Sequence, residues 1–184
     1  MTDLDAITDA WAKRQKGPAP GTAVYAVVDT TFAVARMGPR AIDQLHRHGV
    51  DDERIRYVTV PGFKDLGIAA RRLLEAGADI AVCCGMAGPE PIDKQCAQDA
   101  SLGIQLAMHA TAKPALEVIV HMDETEDPDE LVRVVENRVR EHATNAYWMM
   151  EDPAQLTRRA GTGQRQGFQD VGPFEPALQV EGHS

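Results

Sequence analysis

No apolar stretch among the 184 residues approaches the ~20 needed to cross a bilayer. Met1–Ala10 also lacks the basic start and apolar core of a secretion signal. Membrane-spanning and secreted classes are thereby set aside, and a cytoplasmic protein is expected. Cysteine is scarce. Cys83, Cys84 and Cys96 make an odd count with two adjacent, which is neither a disulfide framework nor a zinc-binding spacing. Basic residues are outnumbered, 19 Lys and Arg against 28 Asp and Glu, for a net charge of −9. No Lys/Arg stripe overrides that repulsion of phosphate backbones, so nucleic-acid binding is not expected. There is no internal repeat. What remains is 43% apolar and 26% charged residues, the balance of one globular domain able to bury ~70% of its unfolded surface.

The chain divides into a leader over 1–21, an α/β domain over 22–150 and an extended tail over 151–184. The leader ends in Lys13-Arg14-Gln15-Lys16-Gly17-Pro18-Ala19-Pro20-Gly21, a linker composition, with a short helix expected near Ile7–Trp11. Ala23–Val28 is then a continuous apolar run of strand length, the mark of a strand buried on both faces. A helix over Met37–His48 stops at Gly49, a second strand spans Arg54–Val60, and Lys64–Ala76 is helical up to Gly77. Asp79–Cys84 is a third buried run, Ile92–Ala112 a long helix of small residues, and Leu116–Val120 a fourth strand. Asp127, Pro128 and Glu130 open a last helix reaching about Met150, with Glu130 where a capping-box carboxylate belongs. Fourfold strand–helix alternation implies a parallel sheet with helices on both faces, a three-layer α/β/α fold. Ligands of such sheets bind beyond the carboxyl ends of the strands, which selects four loops.

After the first strand, Asp29-Thr30-Thr31-Phe32 has no glycine and so cannot wrap a phosphate. Thr30, Thr31 and Phe32 suit a flat polar ring, by hydroxyl hydrogen bonds and aromatic stacking; alternatively Phe32 plugs the sheet end. In the second loop, Pro61, Gly62, Lys64 and Asp65 bring a close backbone approach, free helix-start amides and a carboxylate able to accept from a polyol. A plain turn with a carboxylate favoured by the helix dipole is the competing reading.

The third loop runs from Gly85 through Met86, Gly88 and Glu90 to Asp93 and Lys94. Two glycines and two prolines within seven residues fix its path, and Glu90 and Lys94 supply acid–base capacity. An ion pair on the surface would account for them as well. In the fourth, His121 ends a strand, and histidine is the residue type suited to proton transfer at neutral pH. Asp123 and Glu124 could hold Mg²⁺ through oxygen, but carboxylates belong before a helix N-terminus in any case, so no metal and no cofactor is expected. On the last helix, Arg138 with Glu141 and His142 reads as a helix-face ion pair. Arg158, Arg159 and Arg165, with Gln164, Gln166 and Phe168, read as contacts for a neighbouring surface.

Together the loops resemble archaeal-type riboflavin synthase. The resemblance rests on Val28-Asp29-Thr30-Thr31-Phe32-Ala33, on Val60 through Leu66, and on Gly85-Met86-Ala87-Gly88-Pro89 with Asp93-Lys94 and Cys96-Ala97. It continues through Ala100-Ser101-Leu102-Gly103, Glu117–His121 with Asp123-Glu124, and Arg165-Gln166-Gly167-Phe168, running from about Val24 to Pro173. Gln98 stands where a histidine is usual in that family, Met122 replaces an acidic residue, and Gly38-Pro39-Arg40 departs from the usual start of the first helix.

The resemblance implies a flavodoxin-like, lumazine synthase fold and a homopentamer with active sites between subunits. It implies dismutation of two 6,7-dimethyl-8-ribityllumazine molecules to riboflavin and 5-amino-6-ribitylaminopyrimidinedione. Phe32 then matches the ring-stacking aromatic, and Pro61–Asp65 the segment holding the ribityl chain. Proton transfer falls to His121, Lys94 and Glu90, in that order. The rival readings are lumazine synthase, a paralogue with a related lumazine or flavin ligand, and a flavodoxin-like or receiver-type binding module. Lumazine synthase needs an anion site and a third-loop histidine, yet Gly85–Lys94 holds neither histidine nor arginine.

Overall fold

The computed structural model describes residues 3, 6, 7 and 18–173. Most of the 1–21 leader, including the expected helix beyond Ile7, and the end of the tail over 174–184 lie outside the described residues. Four parallel strands, β1 (Tyr25–Thr30), β2 (Ile55–Val60), β3 (Ile80–Ala87) and β4 (Ala115–His121), form one sheet in the order β2-β1-β3-β4. Between and after them come α1 (Met37–Arg47), α2 (Phe63–Glu75), α3 (Pro91–Thr111), α4 (Pro128–Glu151) and the short α5 (Pro153–Arg159).

The two faces of the sheet sort the helices. Tyr25, Val27, Val82 and Cys84 point to one side, where Met37, Ala41 and Leu45 of α1 meet Val135 and Val139 of α4. Ala26, Val28, Ala81 and Cys83 point to the other, against Leu66, Ala70 and Leu74 of α2 and Ile104 of α3. Both central strands are buried along their whole length, as their continuous apolar runs require. Leu45, Leu66 and Leu74 are fully buried, each contributing ~1.5–3 kcal/mol of transfer free energy. α2 and α3 cross so closely at Gly67 that a β-carbon there would lie 2.6 Å from the carbonyl carbon of Gly103. The small residues read in α3 thus serve backbone approach.

Several details differ from the sequence reading. β1 extends through Asp29 and Thr30, and β3 continues to Ala87, so residues expected in loops end strands instead. Polarity hides the first extension, because Asp29 and Thr30 are buried polar residues, each only 6% exposed, and the glycines and prolines around Met86 hide the second. At the start of α4, Asp127 caps by accepting from the Asp129 N–H at 2.9 Å. Glu130 instead accepts the Thr125 hydroxyl at 2.7 Å and makes no capping box. Finally, the segment read as an extended tail opens with α5, where Pro153 sits in the first turn and Ala154 is buried.

Candidate functional site

All four selected loops gather at the carboxyl end of the sheet. The first two form one group. Thr31 donates its N–H to the Val60 carbonyl at 2.9 Å and its hydroxyl to the Pro61 carbonyl, also at 2.9 Å, stitching the ends of β1 and β2 together. Phe32, 75% exposed, lies over Gly62, its ring edge 3.6 Å from where a β-carbon on that glycine would be. The ring is open to solvent and does not pack into the sheet end, which leaves it a face for stacking. Asp65 closes the helix start: its Oδ2 accepts the Gly62 N–H at 3.1 Å while its own N–H donates to the Gly62 carbonyl. This reciprocal cap fixes the carboxylate on the Gly62 N–H, at the residue against which Phe32 lies. Thr30 Oγ1 is buried with no hydrogen-bond partner among the described residues.

The third and fourth loops form the second group. Lys94 donates to Asp123 Oδ2 at 2.5 Å, and this bond holds the Asp123 carboxyl below its ordinary value. Gly88 lies directly against the Asp93 carboxylate. Glu90 occupies the position before α3, exposed, with its carbonyl accepting from the Asp93 and Lys94 N–H groups. His121 pairs with Ala87 across the β3–β4 ladder, and its Nδ1 is buried without a partner among the described residues. Met86 goes the other way: its side chain is 3% exposed and packs in the core between sheet, α1 and α4.

Phe63 joins the two groups. Its ring, at the first turn of α2, presses on Gly85 so tightly that a β-carbon there would be 2.5 Å from Phe63 Cε1. Lys64 and Asp99 add a 3.4 Å ion pair between α2 and α3.

The fourth loop also corrects the expected helix-face pairing. Arg138 reaches off α4 to Glu124, with two bonds of 2.7 and 2.6 Å, and does not pair with Glu141. His142 Nδ1 lies 2.8 Å from the Arg138 carbonyl. Burial works to raise the Glu124 carboxyl, but the Arg138 guanidinium and the His121 N–H outweigh it and hold it below its usual range. Asp123 and Glu124 are therefore each engaged by a cation of the chain itself. Sequence reasoning also missed Asp29, whose Oδ2 accepts the Gly38 N–H at 3.1 Å and the Tyr57 hydroxyl at 3.0 Å, anchoring α1 to the end of β1. Its only signal was a carboxylate directly following an apolar run.

With this geometry in view, the comparisons are specific. The family model described as 6,7-dimethyl-8-ribityllumazine synthase matches residues 22–153. A protein of Methanothermobacter marburgensis named riboflavin synthase is 47% identical over 149 residues, covering 80% of this chain and 97% of that one. Relatives of the same name from Archaeoglobus fulgidus and Aeropyrum pernix are 44% and 41% identical over 150 residues each, spanning 96% of either relative. The fold, the match across the whole α/β domain and these identities together place the chain in the 6,7-dimethyl-8-ribityllumazine synthase family.

Proposed function

We propose that the protein is a riboflavin synthase: it takes two molecules of 6,7-dimethyl-8-ribityllumazine and moves a four-carbon unit from one to the other. Riboflavin and 5-amino-6-ribitylaminopyrimidinedione result. The observation that carries this reading is the correspondence, at 41–47% identity and over 96–97% of their length, with relatives bearing that name. The exposed Phe32 ring and the Asp65 carboxylate, both held at Gly62, support the same reading: one suits a heterocycle and the other a ribityl hydroxyl.

The donor's C7 methyl is acidic because its carbanion delocalises into the ring as an exomethylene. The steps that follow are addition, ring closure and elimination between two copies of one molecule, so carbon and electrons balance without an external oxidant. Orientation supplies much of the rate, since well-placed reactants gain ~7–11 kcal/mol. A positioned acid or base adds ~10²–10⁴-fold. His121 is the first choice for that role, because its buried Nδ1 has no partner among the described residues. Lys94 is already paired with Asp123, and Glu90 is exposed, which puts them second and third.

In this reading the active site lies between subunits of a pentameric ring. Support comes from the open rim around Phe32 and from Ile68, Leu102 and Leu106 on α2 and α3, all more than half exposed. A cytoplasmic setting fits three free thiols, Cys83 and Cys84 fully in the core.

The second reading, lumazine synthase, is favoured by the description of the matching family model. Incubating the purified protein with 6,7-dimethyl-8-ribityllumazine alone separates the two. The first expects a yellow, fluorescent flavin; no flavin, with lumazine formed from its own precursors, would establish the second.

A further inference from the structure

The β4–α4 turn is held from outside itself. His121 donates its N–H to Glu124 Oε1 at 2.8 Å, and Glu124 receives Arg138 on both oxygens. Arg138 Nη1 also donates to the Ile119 carbonyl at 2.8 Å. One guanidinium thus ties the strand two residues before His121 to the turn three residues after it. The side chains of Arg138 and Glu124 are only 9% and 14% exposed.

What covers Arg138 is the segment after α5. Gly167 approaches so closely that a β-carbon there would lie 2.6 Å from Arg138 Nε and Nη2, and its φ of +78° is one that glycine adopts freely. Its N–H donates to Asn137 Oδ1 at 2.6 Å. Phe168 puts its ring centroid 5.4 Å from Arg138 Cζ and 4.7 Å from Arg165 Cζ, within cation–π range of both. The segment carries its own ties, from the Arg165 N–H to Asp170 Oδ1 at 2.8 Å and from the Val171 N–H to the Gly163 carbonyl at 3.0 Å.

We propose that residues 163–171 form a strap that locks Arg138 onto Glu124 and so fixes His121, making Phe168 and Arg138 positioning residues for the reaction at the strand ends. The proposal rests on His121 being the proton carrier of the function above. An ion pair open to water is weakened by solvent competition and side-chain freedom, whereas one covered by a ring and a backbone keeps a single geometry. Phe168 is half exposed, so its contribution to the core is small and its replacement should leave the domain folded.

The experiment compares Phe168→Leu, Phe168→Trp and His121→Asn in the full chain, with 6,7-dimethyl-8-ribityllumazine as substrate. Hydrogen exchange over 119–126 gives a readout independent of turnover. Phe168→Leu keeps apolar bulk but loses the cation–π contact; it should lower kcat about tenfold with KM within about twofold, and speed exchange over 119–126. Phe168→Trp, which keeps that contact, should recover most of both. If Phe168 acts through His121, adding Phe168→Leu to His121→Asn should cost nothing further. An equal penalty in both backgrounds, or unchanged exchange over 119–126, overturns the strap. Full turnover of His121→Asn alone overturns the proton-carrier assignment instead, and the exchange still judges the strap.

Discussion

The ring of Phe63 lies on Gly85 with no room for a side chain between them: a β-carbon at Gly85 would fall 2.5 Å from Cε1 and 3.1 Å from Cζ. The contact couples the first turn of α2, where Asp65 caps, to the end of β3, where the third loop leaves the sheet. Gly85→Ala should therefore push Phe63 and the Pro61–Asp65 turn outward. Overpacking of this kind costs ~1–3 kcal/mol. Urea denaturation would show it as a lower midpoint at unchanged slope, and pairing with Phe63→Leu should recover part of the loss.

Phe32 and Asp65 test the platform. Phe32→Ala removes a ring that is three-quarters exposed, so stability should hardly change while turnover falls at least about tenfold, the equivalent of ~1.4 kcal/mol. Asp65 has two roles, and two substitutions separate them. Asp65→Asn retains an oxygen to accept the Gly62 N–H and should keep the fold's stability, yet lose the charge offered to a ribityl hydroxyl. Asp65→Ala loses the cap as well, at ~0.5–2 kcal/mol. Steady-state kinetics beside thermal melts checks both; turnover unchanged in Phe32→Ala and Asp65→Ala would move the pocket elsewhere.

How far the sequence foretells this site follows from what makes each part local. The strands, the helix starts and the Thr31–Phe32 and Pro61–Asp65 turns depend on neighbours in the chain, so their patterns are readable there. The end of β1 escapes because Asp29 Oδ2 is engaged by Gly38 and Tyr57, residues 9 and 28 positions away. Arg138 is the clearest failure. Three or four residues from Glu141 and His142, it fits a helix-face pair by spacing, but Glu124 lies 14 positions back and offers both oxygens in a place from which water is largely excluded. Met86 escapes for another reason: a glycine- and proline-rich stretch looks like loop, while its side chain continues the inward alternation of β3.

Acid should weaken the fold in two steps. His48 and His142 are held below their ordinary value by burial, more than offsetting the Arg138 carbonyl that favours the His142 cation. The unfolded chain therefore takes up protons first, and stability begins to fall as pH drops below ~6.5. Asp123 and Glu124 are likewise depressed, by the Lys94 bond in one case and, against burial, by Arg138 in the other. Their contribution is complete above the ordinary carboxylate range, ~3.9–4.3, and is lost as pH falls through their lower folded values. Denaturant midpoints between about pH 7 and 3 should show both slopes. Glu124→Gln should flatten only the lower one, and His142→Gln only the upper.

At the opposite end of the sheet, Glu151 is a junction that holds the chain's entry into β1. Its carboxylate accepts from Arg54 Nη2 at 2.6 Å, from the Tyr25 hydroxyl at 3.3 Å and from the Gly21 N–H at 2.5 Å, with its side chain only 8% exposed. Arg54 also donates to the Ala23 carbonyl at 2.9 Å. Burial and the adjacent Glu151 charge push the Tyr25 phenol well above its ordinary value, so it stays a neutral donor at any working pH. Arg54→Met should leave a carboxylate enclosed with no cation, at a cost of ~3–5 kcal/mol. Adding Glu151→Gln removes the stranded charge while keeping an acceptor for Tyr25 and Gly21, so the double variant should be more stable than Arg54→Met alone. A double-mutant cycle by urea unfolding measures this directly. Simple additivity of the two losses would mean that water already reaches Glu151 and that the junction works as a surface pair.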